Sequence, residues 1–282
     1  MIHYSPLRYP GGKNKLAKFI AEICKDNNIS GHYVEPYCGG ASVALYLLLN
    51  GQVKEITIND FDRSIYAFWY SVLNDTKRFC DKITRTKVDL PTWRKQKRIQ
   101  QNKDTQTDLL KLGFSTFFLN RTNYSGILDG GMIGGAAQTG DYKIDCRFNK
   151  ADLIDRIKFI ALHKKQIHLT NLDALVLIKK IRKNKNTIFY FDPPYYLKGP
   201  SLYMNFYDHD DHLKVSQAIK KIKNSRWIVS YDNTPEIKRL YKKIQKKEYT
   251  FFHTAYNARV GKEILFFGPD LVLAKTFSPT AR

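Results

Sequence analysis

Five consecutive residues, Asp192-Pro193-Pro194-Tyr195-Tyr196, place a carboxylate, a proline carbonyl and two phenol rings in one short turn. They follow Thr187-Ile188-Phe189-Tyr190-Phe191, an apolar, β-rich run that predicts a buried strand. Proline lacks an N–H and fixes φ, so two in succession end the ladder and hold the turn rigid. In an open α/β sheet, ligands bind just beyond the carboxyl ends of strands. The turn therefore holds out a carboxylate at Asp192, a free carbonyl at Pro193 and an aromatic ring at Tyr195.

A second group lies near the start of the chain. His32-Tyr33-Val34 predicts a short strand, Glu35-Pro36-Tyr37-Cys38-Gly39-Gly40-Ala41-Ser42 a glycine turn, and Val43 to Leu49 a helix. Strand, glycine turn and helix make the first unit of a nucleotide-binding α/β fold. The next strand, Glu55 to Ile58, ends in Asn59-Asp60-Phe61-Asp62. Asp60 falls about 20 residues beyond the glycine turn, where an acid can accept from both ribose hydroxyls. Either Asp60 or Asp62 also suits the N-cap of a helix over Ser64 to Leu73. Asp173 stands just past a strand at Gln166 to Thr170 and suits both capping and binding. Gly11-Gly12-Lys13 opens a helix running to about Asn27, and Lys13 can meet an anion there.

Other chemistries fit less well. Gly-Gly-Lys lacks the first glycine and the Ser/Thr of a Walker A loop, and the second turn is not G-x-G-x-x-G. His209-Asp210-Asp211-His212 puts two histidines on one helix face, but no other spacing supports a metal, and acids at a helix start complement its dipole. Ser230 and His253 show no nucleophile elbow. We therefore expect no metal.

The elements that position these residues alternate strand and helix, interrupted from about residue 75 to 150. That stretch is rich in Lys and Arg, among them Lys77, Arg94, Lys95 and Lys103. It then recovers a helical pattern over Leu109 to Leu119 and ends in a glycine-rich polar loop. The strand–helix order resumes with a helix at Asp152 to His163. Later elements are a helix from Asp208 to about Lys223, a strand at Arg226 to Ser230, a helix near Glu236 to Gln245 and a closing hairpin. Formal net charge is +21, with 47 Lys and Arg against 26 Asp and Glu, which predicts a polyanionic partner, nucleic acid before membrane. Four scattered cysteines without a C-x-x-C predict reduced thiols. With no signal peptide or membrane-length apolar run, the expected location is the cytoplasm.

Taken together, the motifs resemble the Dam-type (D12 class, alpha-group) DNA adenine-N6 methyltransferases, over most of the chain and in the family's order. Tyr9-Pro10-Gly11-Gly12-Lys13 resembles the N-terminal cofactor motif, and Val34 to Ser42 the cofactor loop, with Glu35, Pro36 and Gly39. Asp60 resembles the ribose-binding acid, and Asp173 the acid near the cofactor adenine. Asp192-Pro193-Pro194-Tyr195 resembles the catalytic motif, and Gly261 to Leu265 the C-terminal strand. Leu119 to Gly126 resembles the target-recognition segment, which assigns Asn120, Arg121, Asn123, Tyr124 and Ser125 to DNA, with Arg94 and Lys95 as phosphate contacts. GATC-reading members tend to follow the aromatic with Asn-Gly and a nearby Arg; here Ser125 follows Tyr124, and Asp129 stands near the Arg position. An acid there accepts from a base amine rather than donating to guanine.

The resemblance implies a Rossmann-like α/β methyltransferase domain, residues 1–74 and 151–282, with an inserted, mainly helical recognition domain at 75–150. It implies S-adenosylmethionine as cofactor, S-adenosylhomocysteine as product, and duplex DNA with a flipped adenine as substrate. It also implies a bacterial or phage-borne host and a cognate restriction endonuclease as partner; a monomer is the default. The rival readings are methylation of cytosine N4 or another amine, and a catalytically silent DNA-binding module.

Overall fold

The chain builds an α/β sheet and a set of packed helices, seen in a computed structural model that describes residues 4–8, 14–181, 183–197, 207–253, 259–269 and 271–273. Tyr9, Gly12, Lys13 and Phe206 lie outside the described residues. So does most of the Leu197–Tyr207 segment. The strands are β1 (His32–Glu35), β2 (Glu55–Asn59), β3 (Ile167–Thr170), β4 (Thr187–Phe191), β5 (Arg226–Asp232), β6 (Gln245–His253) and β7 (Arg259–Phe267). They form one mixed sheet in the order β3-β2-β1-β4-β5-β7-β6. β1 pairs in parallel with both β2 and β4, and β4 in parallel with β5, while β7 runs antiparallel to β5 and β6. The strand order reverses between β1 and β4, the switch point at which such sheets bind ligands.

Two compact units make up the chain, one of residues 1–12 with 62–171, the other of 13–61 with 172–282. The second carries α1 (Asn14–Asp26), α2 (Ser42–Leu49), α8 (Ala174–Lys180), α9 (His209–Lys220) and α10 (Pro235–Leu240). Side chains alternate across a strand, and this divides the sheet cleanly. Val34, Phe189, Phe191, Trp227, Val229, Tyr231, Ile264 and Phe266 share one apolar cluster with Leu177 of α8, Val215 and Ile219 of α9, and Ile237 of α10. The alternate positions, Tyr33, Glu35, Tyr190, Ser230 and Glu263, share the opposite face and are buried. Helix α2 is largely apolar and buries Val43, Ala44, Leu45, Leu47 and Leu48, and Phe19 of α1 meets Phe267 edge to face.

The first unit is helical: α3 (Arg63–Asn74), α4 (Thr76–Arg85), α5 (Leu90–Gln101), α6 (Leu109–Thr122) and α7 (Lys150–Leu162), with β3. Thus α3 and α7, which flank residues 75–150, fold with that stretch. Its core is aromatic: Phe68, Phe79, Phe114, Phe117, Phe118 and Phe148 meet ring to ring. Gly113 lets α6 approach α3 closely, since a Cβ there would stand 2.3 Å from the Ala67 carbonyl. Buried Gln100 of α5 ties α3 to α6, accepting from Ser64 and donating to Ser115 and Thr116 at 2.8–2.9 Å. Among the described residues, no helix is long and apolar enough to cross a membrane.

One predicted element differs. The helix expected near Glu236 to Gln245 stops at Leu240, because Lys243 takes a left-handed φ of 69° and Gln245 onward pairs with β7. Long-range ladder pairing outweighs the helical spacing of Ile237, Leu240 and Ile244.

Candidate active site

At the end of β1 the chain turns through Pro36 to Ala41, with Gly39 at φ 44° and Ala41 at φ 48° before α2 begins. Gly39 N donates to Asp60 Oδ2 at 2.9 Å, so the acid at the end of β2 orders the glycine turn. Asp62 takes the other role: its side chain caps α3 through Ser64 N at 2.8 Å and faces Lys103 at 3.4 Å. Asp173 caps α8 through Leu175 N (2.8 Å) and Val176 N (3.4 Å). Asn59 staples the strand ends: its amide donates to Pro36 O and Leu172 O and accepts from Leu172 N, each at 2.9 Å. Phe61, next to Asp60, is 59% exposed, unusual for so large an apolar ring.

Glu35 ends β1 and is 4% exposed. Its Oε2 meets no hydrogen-bond partner among the described residues. Burial, and then the nearby Asp192 carboxylate, push its carboxyl group well above the usual range; an Ala44 backbone hydrogen bond opposes this. A buried acid with an orphaned oxygen fits a cationic ligand group, which would favour its ionised form.

The turn after β4 is held from two neighbouring strands. Asp232, at the end of β5, accepts from Tyr196 N at 2.9 Å and Leu197 N at 3.0 Å. Ser230 Oγ donates to Asp192 Oδ1 at 2.5 Å, and the Tyr190 hydroxyl lies 2.9 Å from Ser230 Oγ. The Tyr195 hydroxyl donates to Glu263 Oε1, and the Tyr249 hydroxyl to Glu263 Oε2. Tyr195 is therefore anchored to β7, with its ring only 5% exposed. Pro193 is buried between Asp192 and the second proline.

On the opposite face of the sheet, His212 is buried with Nδ1 2.9 Å from the Tyr231 hydroxyl, and burial lowers its pKa to about 4. Asp208 and Asp211 form a reciprocal capping box for α9. Among the described residues, no group of three or more His, Cys, Asp or Glu side chains is arranged to hold a metal.

In the helical unit, the residues predicted to touch DNA divide. Asn120 and Asn123 are buried, and their amides are filled. Asn120 accepts from Arg8 N (2.7 Å) and donates to Arg8 O and Gly126 O; Asn123 accepts from the Trp93 indole (2.7 Å) and donates to Ile127 O and Leu128 O. They shape the loop from within. Tyr124 is 41% exposed, pinned by its N–H to Gly131 O, and Ser125 after it adopts a left-handed φ of 54°. Gly126 is required, since at φ 77° a Cβ would stand 2.1 Å from Arg8 O. Arg121 is buried, with Nε unpartnered among the described residues, and burial lowers its pKa to about 10. Arg94 and Lys95 project from α5 into solvent, and Asp129 faces Lys97 at 3.6 Å.

The sequence-predicted residues Glu35, Pro36, Gly39, Asp60, Asp173, Asp192, Pro193 and Tyr195 thus all belong to the sheet unit, at or just beyond the carboxyl ends of strands. Asn59, Phe61, Asp232 and Glu263 were not assigned roles from sequence. Phe61 could have been found as an apolar ring beside a predicted ribose acid; the others act through strand pairing.

Sheet order and the acids at the switch point are those of an α/β, Rossmann-like methyltransferase fold. The chain matches the model of the D12 class N6 adenine-specific DNA methyltransferases over residues 9–254 and belongs to that family. It is 24% identical over 236 residues to the type II methyltransferase M.MjaIII of Methanocaldococcus jannaschii, an alignment covering 77% of this chain and 79% of that protein. Among solved structures it is similar to a candidate RNA methyltransferase from Pyrococcus horikoshii (10% identity, TM-score 0.42, covering 93% of this chain and 86% of that one). It is also similar to a SAM-dependent O-methyltransferase from Thermotoga maritima (7% identity, TM-score 0.36, 89% and 64%).

Proposed function

We propose that this protein transfers a methyl group from S-adenosylmethionine to N6 of an adenine flipped out of duplex DNA, at a defined sequence. The observation that carries this reading is the Asp192 turn: a carboxylate and a buried proline carbonyl, fixed by Ser230 and Asp232, at the carboxyl end of β4.

Adenine's exocyclic amine is a weak nucleophile because its lone pair is delocalised into the ring. Asp192 and the Pro193 carbonyl accept its two hydrogens, favour a pyramidal nitrogen, and offset the positive charge that grows as it attacks. The cofactor supplies an activated methyl when bound, so the protein contributes mainly alignment. Asp60 takes ribose hydroxyls while ordering the glycine turn, Phe61 gives an apolar face beside it, and Glu35 meets a cationic group. Gly39, Pro36 and Asp173 shape the remaining walls, joined by Tyr9, Gly12 and Lys13 from the N-terminal motif. The base stacks on Tyr195, worth about 1–3 kcal/mol; because that ring is buried, its neighbours move as the base enters.

Residues 75–150 serve as the recognition domain and 1–74 with 151–282 as the catalytic domain. Arg94, Lys95 and Arg121 meet phosphates, and Tyr124 and Ser125 present the loop to the bases. Asn120 and Asn123 act as the frame of that loop. The protein works in the cytoplasm of a bacterium or of a phage's host, as a monomer, beside a cognate endonuclease.

The test is transfer from labelled S-adenosylmethionine to mixed-sequence duplex DNA, followed by digestion to nucleosides. Label in N6-methyladenine is expected; label in N4-methylcytosine overturns the base assignment. Asp192→Ala should lose transfer by orders of magnitude while still binding DNA, and near-normal activity in that variant defeats the mechanism.

A further inference from the structure

Ser230 stands on β5, fully buried and tightly engaged. The β4–β5 register pairs Phe191 with Val229, so one step further sets Asp192 opposite Ser230. A serine hydroxyl carries a single proton. An ionised carboxylate can only accept, so at 2.5 Å that proton goes to Asp192 Oδ1. The 2.9 Å contact behind it then runs the other way, with the Tyr190 hydroxyl donating to Ser230 Oγ. The three groups form a directed chain, Tyr190 to Ser230 to Asp192, built on two adjacent parallel strands.

We propose that Ser230, backed by Tyr190, is a positioning residue for methyl transfer: by holding Asp192 Oδ1 it sets the orientation in which the carboxylate meets the target amine. The proposal rests on the reading of Asp192 given above. A carboxylate's terminal torsion is broad and two-fold, so a lone aspartate samples many orientations. A hydrogen bond from a strand fixes that torsion, which matters because misplacement by a fraction of an ångström is enough to weaken an aligned site. The same bond favours the ionised carboxylate, keeping it an acceptor at lower pH.

Among the described residues, the titratable groups on the sheet face of Asp192 are Glu35 and Tyr33 from β1 and Tyr190 from its own strand, while Tyr231 of β5 influences it from the other face. Tyr33 and Tyr231 are pushed up by burial and stay neutral across the assay range. Glu35, which is coupled to Asp192, is kept in every variant below, so a displacement in Ser230→Ala or Tyr190→Phe follows from the hydroxyl removed.

The experiment compares the full-length protein with Ser230→Ala, Tyr190→Phe and Asp192→Ala. It measures cofactor affinity by calorimetry, duplex affinity, and single-turnover methyl transfer from pH 5 to 8.5. In Ser230→Ala we expect both affinities within about threefold of the parent, a transfer rate about 10- to 100-fold lower, and an acid limb moved to higher pH. Tyr190→Phe should shift both readings the same way by less. A Ser230→Ala protein with parental rate and pH profile, beside an inactive Asp192→Ala, overturns the proposal alone. So does a rate loss matched by lost cofactor affinity with the acid limb unmoved, since that is a packing defect. Near-normal transfer by Asp192→Ala overturns the reading of Asp192 and this inference with it.

Discussion

Replacing Glu35 with glutamine should make the protein more stable at neutral pH than its parent, and increasingly so as pH rises. In the unfolded chain Glu35 ionises near the usual 4.5. In the fold, burial and the Asp192 carboxylate raise its pKa well above that, and Asp60 adds to the effect. Between these two values the native state keeps a proton that the unfolded state has released. The stability associated with Glu35 is therefore complete below about pH 4.5 and is lost progressively up to the folded pKa. One proton corresponds to about 1.4 kcal/mol per pH unit. Glutamine is nearly isosteric, still accepts from the Ala44 backbone, and does not titrate. The stability difference between variant and parent should thus begin to grow near pH 4.5, at about 1.4 kcal/mol per pH unit. For a unit of this size that is about 3–6 °C in Tm per pH unit. The assay is thermal or urea unfolding of both proteins from pH 4 to 8 at fixed ionic strength, without cofactor. Parallel curves across that range would refute the reasoning, because they would mean that Glu35 ionises in the fold as readily as in the unfolded chain.

Two further predictions concern the helical unit. Gly126→Ala places a Cβ 2.1 Å from Arg8 O at a left-handed φ, and should destabilise by about 1–3 kcal/mol. It should weaken duplex binding while leaving cofactor affinity intact, and unchanged unfolding would show that the loop yields. Neutralising Arg94 and Lys95 together should weaken binding to all sequences alike and reduce the slope of log K against log salt by up to about 2. An unaltered slope, measured by titration between 50 and 200 mM salt, removes α5 from the interface.

What could be read from sequence was local. The Thr187–Phe191 strand ends where the prolines demand, and the helix at Asp152 to His163 lies within two residues of α7. From spacing alone either Asp60 or Asp62 could cap α3, and only the resemblance singled out Asp60 as the ribose acid; the fold gives the cap to Asp62 through Ser64 N and turns Asp60 to Gly39 N. Ser230, Asp232 and Glu263 were out of reach because their partners lie 38, 36 and 68 residues away and meet only through strand register. The polar types of Asn120 and Asn123 pointed outward to DNA. The fold turns them inward instead, because a tight loop leaves backbone carbonyls and amides that only a side-chain amide can satisfy.

The Asn59 amide also has a consequence for the order in which the molecule assembles. Its acceptor and both donors are committed to Pro36 and Leu172, the latter 113 residues further along. On the ribosome, the glycine turn and the end of β2 emerge long before Leu172 exists, so this corner of the sheet unit closes only after residues 60–171 have been made. Most of those residues form helices whose contacts are local and fast to form. Once folded, they no longer behave as a hundred-residue floppy tether, and the entropy of closing it, which grows as about 1.5RT ln n for a flexible chain, is largely met beforehand. Slow appearance of cofactor affinity after rapid gain of helicity is the kinetic signature this arrangement should leave.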